Sequence, residues 1–169
     1  MKKCLYWFPA VCWMILIFSL SSQPYSKQDI RPFLKENIPQ SFVKERMGDL
    51  KVQYSGKEIS IETKGVSGFL EFFIRKGAHI FVFMVLTIAI QWAVQKTWNW
   101  GIGTYVFSFL LTSLFAASDE LHQYFTPNRT AKVEDIAIDM AGILIGLLIM
   151  FVINQLRRPI KSNERQKLV

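Results

Sequence analysis

The chain has 169 residues, 51% of them hydrophobic, a formal net charge of +7 and two cysteines. This length fits one domain, and the hydrophobic share exceeds what most soluble domains carry, so membrane residence is the first expectation. Basic residues interleave with acidic ones and flank apolar runs without forming a basic and aromatic surface, so no nucleic-acid partner is expected and the charge is assigned to membrane flanks.

Met1-Lys2-Lys3 precedes an apolar run from Cys4 to Leu20, about 17 residues and the lower limit for crossing a hydrocarbon core of about 30 Å. Tyr6 and Trp7 suit one interface. The competing reading is a cleaved secretory signal, because a basic start, an apolar stretch and Ser19, Ser21 and Ser22 meet its requirements. Pro9, Trp13 and the lack of an Ala-x-Ala end weigh against it. Cys4 and Cys12 lie about 12 Å apart along one helix, too far for a mutual disulfide, and read as small apolar residues.

Residues 22–73 carry dense charge, Pro24, Pro32, Pro39 and turn formers, and they read as an insert between the first two spans. The stretch from Asp29 to Met47 fits short amphipathic turns, with Asp29 as a cap and Pro39 as an interruption. Val52 and Tyr54, then Ile59 and Ile61, alternate across Ser55-Gly56-Lys57-Glu58 as a β-hairpin would. A compact insert and a tether with no role of its own both remain open.

Gly65 and Gly68 close the insert, and a second apolar run covers 78–94. Arg75 and Lys76 stand four and three residues before His79, so one helix face gathers three nitrogenous groups at the membrane boundary. Residues 95–101 allow only a tight connection, and Trp92, Trp98 and Trp100 suit an interfacial belt. A third span is expected over 102–117 and a fourth over 136–153, followed by a basic tail over 154–169. The expected fold is an all-α membrane bundle of four transmembrane helices with an extracytoplasmic insert between the first two. Lys2, Lys3, Lys96 and the tail cations place both termini in the cytoplasm, although ten Lys or Arg between Lys27 and Lys76 run against that count.

With this topology the charged helix ends converge. His79 enters the second span, Asp119, Glu120 and His122 leave the third, and Asp135 and Asp139 enter the fourth. Asp119, His122 and Gln123 share a helix face, whereas Glu120 points about a quarter-turn away. Asp135, Asp139, Gly142 and Gly146 also share a face, whose two glycines allow a neighbouring helix to approach closely. Pro127-Asn128 is turn chemistry that would aim Arg129 back across the mouth, towards Asp135, Asp139, Glu120 or an anionic ligand. An ion-pair cluster that sets helix register is the bland alternative. No His-Glu-x-x-His or Cys/His spacing and no Gly-x-Ser-x-Gly elbow is present, so neither a metal, another cofactor nor nucleophilic catalysis is expected.

Four stretches, in this order and against four apolar runs, resemble the VanZ-like family. They are Ser21-Ser22-Gln23-Pro24, Arg75-Lys76-x-x-His79, Asp119-Glu120-x-His122-Gln123, and Arg129 followed by Asp135-x-x-x-Asp139-x-x-Gly142 with Gly146. Asn128 stands where glycine is usual, and Asp139 where asparagine is also common. The resemblance implies a four-helix integral membrane protein of a Gram-positive cell envelope, with its polar site outside the cytoplasm and an association with teicoplanin-type resistance. The expected ligand set is Arg75, Lys76, His79, Asp119, Glu120, His122, Gln123, Arg129, Asp135 and Asp139. Its expected partner is membrane lipid, a lipid-linked cell-wall intermediate or a lipoglycopeptide. An intramembrane enzyme acting on a lipid headgroup, with His79 or His122 as acid/base, and a structural membrane module stay open as other classes.

Overall fold

A computed structural model of the protein describes residues 2–98, 100–126 and 132–157. Helices α1 (Lys2–Leu5) and α2 (Phe8–Ser21) form the first apolar arm, with Pro9 in the first turn of α2, where its fixed φ and missing N–H cost nothing. Three short helices follow: α3 (Tyr25–Gln28), α4 (Arg31–Asn37) and α5 (Gln40–Met47). The Asp29 carboxylate accepts the backbone N–H of Arg31 and two guanidinium hydrogen bonds at 2.8 and 2.6 Å. Those contacts hold its carboxyl down at about 2.

The alternation after Asp49 does form a hairpin, β1 (Val52–Tyr54) antiparallel to β2 (Lys57–Ile59), with Val52 opposite Ile59. Its two-residue turn, Ser55-Gly56, has positive φ at both positions, the twist that a tight hairpin requires. Val43, Ile59, Ile61, Val66 and Phe69 bury together beneath it. That apolar contact makes the segment a folded layer on the next helix.

Helix α6 spans Ile61–Thr97, so residues 61–73, read from sequence as insert, are helical. Ser60 and Thr63 form a reciprocal capping box that satisfies its first amides, and Phe69 and Val66 stabilise the early turns by packing on the hairpin. Gly65, at φ 67°, supplies the kink. From Val66 onward the helix runs about 48 Å at helical rise, well beyond a hydrocarbon core of about 30 Å. Arg75, Lys76 and His79 therefore sit roughly two and a half to three and a half turns beyond the kink and not at the start of the helix.

Helices α7 (Gly103–Phe125) and α8 (Val133–Leu156) return antiparallel and parallel to α6, respectively. Phe83, Leu86, Ile90 and Val94 of α6, Ala116 of α7, Ile143 of α8, and Ala10 and Ile17 of α2 make the main core. Gly142 and Gly146 bring α8 against the backbone of α6. A Cβ on Gly142 would collide with the Ile80 carbonyl, and one on Gly146 would lie 2.7 Å from the Met84 oxygen.

Among the described residues three helical segments are long and apolar enough to cross a membrane: Lys3–Ser21, Ile61–Thr97 and Val133–Leu156. Helix α7 has 23 residues, but Thr104, Ser108, Thr112, Asp119, Glu120 and Gln123 are buried along it, which lowers its apolar content. At one end of the bundle Trp7 donates to Thr97 at 3.1 Å and Trp98 stacks on Trp100, so the tryptophans gather there. The ends of α2 and α7 and the first turns of α8 meet near the middle of α6 at the opposite end, where the ionisable groups lie.

Candidate functional site

Chain order does not predict which acid meets which base, but helix register decides it. Lys76 pairs with Asp135, and Tyr54 from the hairpin donates to the same carboxylate oxygen. Lys76 also donates to the Tyr54 hydroxyl at 2.9 Å, so hairpin, α6 and α8 share one knot. One turn deeper, the His79 Nδ1–H donates to Asp139 Oδ1 at 2.9 Å. The Asp139 side chain is 2% exposed, which leaves His79 as its outlet to the surroundings.

Asp119 joins a second network. Its Oδ2 accepts from Ser21 at 2.8 Å and from the Gln123 amide at 2.9 Å, while Oδ1 is buried without a partner among the described residues. The Ser21-Ser22 stretch therefore ties the end of α2 to the end of α7. His122 turns to the other side, with Ser22 at 3.0 Å and a stacked Phe18 ring at 4.3 Å. Glu120 accepts the Lys132 backbone N–H and so anchors the start of α8 to α7.

Two cavities open between these networks. The larger, about 360 Å³, is lined by Arg31, Lys64, Arg75, Lys76, Lys132, Glu71 and Asp135 together with Tyr25 and Tyr54. The smaller, about 200 Å³, is lined largely by Ile17, Leu20, Ala78, Val82 and Phe83, with Asp119 and Ser21 at its polar edge. Arg75, His79 and Gln123 line both. Glu71, which also borders the larger cavity, accepts from the Tyr25 hydroxyl at 2.9 and 3.0 Å, and the Arg31 guanidinium lies 3.6 Å away. Arg75 reaches Glu71 only at 4.0 Å and lies 4.9 Å over the Tyr25 ring.

Of the expected set, Arg75, Lys76, His79, Gln123 and Asp135 line the larger cavity, Asp119 lines the smaller, and Asp139 stands behind His79. Glu120 and His122 line neither. The expected separation of Glu120 from Asp119 by a quarter-turn does not expose it, because α8 covers that side as well. Arg129 and the Pro127-Asn128 turn lie outside the described residues, as does the tail beyond Arg157. Tyr25, Arg31, Tyr54, Lys64 and Glu71 were missed by sequence reasoning. A Glu71–Arg75 pair at i,i+4 was available as a signal, whereas nothing local placed the hairpin's Tyr54 over α8.

Burial, the hydrogen bond to Asp135 and that carboxylate's charge push the Tyr54 phenol above its ordinary value. A raised folded value means that its contribution to stability is complete below about pH 10 and is lost as pH rises through the folded value. Ultraviolet difference spectra of the intact protein against Tyr54→Phe should show one phenol that ionises only above the range of the others. Ionisation in the ordinary range would mean that the knot with Asp135 does not form in solution.

A family model described as VanZ/LLP1 matches residues 6–154. No curated protein and no solved structure matches the chain.

Proposed function

Because the chain belongs to the VanZ-like family, we propose that it is a four-span cell-membrane protein whose converging helix ends bind a polar, anionic envelope ligand. The candidate ligands are a lipid-linked cell-wall intermediate and a lipoglycopeptide, and binding of either would connect the protein to teicoplanin-type resistance in a Gram-positive host. The observation that carries this reading is the sharing of Arg75, His79 and Gln123 between a basic cavity and an apolar one. Such a junction suits a ligand with a charged head and an oily neighbour.

Helix α7 is the fourth span in this reading. Its buried side is polar, but Val106, Leu110 and Leu114 recur every four residues on the outside and are exposed, as a lipid-facing stripe would be. Thr104, Ser108 and Thr112 then face protein and not hydrocarbon. Lys2, Lys3 and Lys96 at the tryptophan end favour cytoplasmic termini, which puts residues 22–73 and the cavities on the outer side.

Native mass spectrometry of the full-length protein, purified in detergent and screened against envelope lipids and a lipoglycopeptide, tests the reading. One ligand should remain bound, and Arg75→Ala should weaken it about tenfold or more, as expected for removing a charge-assisted contact. Equal retention by the variant would remove Arg75 from the site and the reading with it.

A second reading is favoured by the His79–Asp139 pair. A carboxylate on Nδ1 fixes the ring and leaves Nε2 for a substrate, the arrangement of an acid/base in a hydrolase or transferase acting on a lipid headgroup. Turnover of a labelled envelope lipid that disappears in His79→Gln, with binding retained, would favour this enzyme over a binding protein.

A further inference from the structure

Resting on the binding reading above, we propose that the ligand is a lipid phosphate, held at its phosphate between Arg75 and His79 with its hydrocarbon chain in the apolar cavity. Five cations, Arg31, Lys64, Arg75, Lys76 and Lys132, line the larger cavity against two carboxylates, Glu71 and Asp135. Lys76 is taken by Asp135, and Arg31 by Asp29. Arg75 meets a carboxylate only at 4.0 Å, and Lys64 and Lys132 meet none at ion-pair distance among the described residues. A surplus of positive charge gathered along one open cleft attracts an anion, and one carrying more than one charge most strongly.

Geometry favours a phosphate over a carboxylate. Arg75 and His79 stand one turn apart on the same face of α6, Lys64 comes from the start of that helix, and Lys132 comes from the start of α8. Donors that converge from several elements match the tetrahedrally arranged oxygens of a phosphate better than the two coplanar oxygens of a carboxylate. Asp139 on Nδ1 holds the His79 ring in place, and Nε2 has no hydrogen-bond partner among the described residues, which leaves it to the ligand.

The walls supply the rest. Below Arg75 and His79 the lining changes to Ile17, Leu20, Val82 and Phe83. Of the five cations only Arg75 borders that cavity, where Asp119 also stands, so the groups that would hold a phosphate lie on the other side. The phosphate therefore stays on the basic side and only the chain passes. A cavity of about 360 Å³ is at the small end of the roughly 300–1,000 Å³ that encloses a drug-sized ligand. A phosphate with one attached group is within what such a pocket takes in.

The test uses the full chain in non-ionic detergent, with hexadecyl phosphate, hexadecanol and inorganic phosphate as probes and native mass spectrometry or calorimetry as readout. Hexadecyl phosphate should bind, hexadecanol about tenfold or more weakly, and inorganic phosphate should neither bind nor compete. Arg75→Gln should weaken the lipid phosphate by a similar factor. Val82→Trp, and independently Leu20→Trp at a more open position, should weaken it by filling the chain's path. Equal binding of hexadecanol would overturn the phosphate assignment, and competition by inorganic phosphate at similar concentration would overturn the role of the chain. Arg75-dependent binding of a lipoglycopeptide but not of hexadecyl phosphate would overturn this inference and leave the broader binding reading standing. Loss of all Arg75-dependent binding would overturn both.

Discussion

Replacing Gly142 with leucine is expected to detach α8 from α6 and to abolish the folded protein. Even Gly142→Ala should cost about 1–3 kcal/mol, the range for forcing extra volume into a packed interior. The reason is positional, since a Cβ there meets the Ile80 backbone carbonyl, which cannot turn aside as a side chain can. Gly77 provides the control. Nothing lies within 4 Å of its would-be Cβ, and it sits inside α6, so Gly77→Ala should stabilise by about 0.5–1 kcal/mol through helix propensity alone. Unfolding of both variants in mixed detergent micelles decides the matter. If Gly142→Ala is as stable as the parent, the close approach of α8 to α6 is wrong.

Removing one member of the Lys76–Asp135 pair has the second large effect. The Lys76 and Asp135 side chains are 17% and 12% exposed, so Lys76→Met leaves a carboxylate with little water and only the Tyr54 hydroxyl as donor. The expected loss is about 2–4 kcal/mol, at the lower part of the range for breaking a buried pair because some exposure remains. Adding Asp135→Asn should recover at least about half of it, since the stranded charge and not the missing bond is the main penalty. A double-mutant cycle measures this directly. Additive losses would show that the two groups do not interact in the folded protein.

Much of the frame was legible locally. Apolar runs located the apolar helices α2 and α8 to within a few residues, and the 4-3-4 spacing of Asp135, Asp139, Gly142 and Gly146 announced one face of α8, which the close Gly142–Ile80 contact uses. The Ser55-Gly56 turn announced the hairpin. Helix α6 was misjudged at its start because residues 61–73 look polar and interrupted. Their helical state depends on a capping box and on Phe69 packing beneath a hairpin, a contact between distant segments.

The site divides in the same way. Sequence alone determined that Arg75, Lys76, His79, Asp119, Asp135 and Asp139 would lie at one end of a helical bundle, because chain reversals at tight connections leave no other arrangement. It also determined that α8 would present glycine to a neighbour. Tertiary structure decided the partners: Lys76 to Asp135, His79 to Asp139, Asp119 to Ser21, with His122 turned away towards Phe18. It decided too that Arg75 would stand between a basic cavity and an apolar one. Periodicity fixes which side of a helix a residue occupies, but rotation and axial register between helices are set by the summed fit of many side chains. A shift of one turn along α8 would have exchanged both pairs that reach it, Lys76–Asp135 and His79–Asp139, without changing a residue.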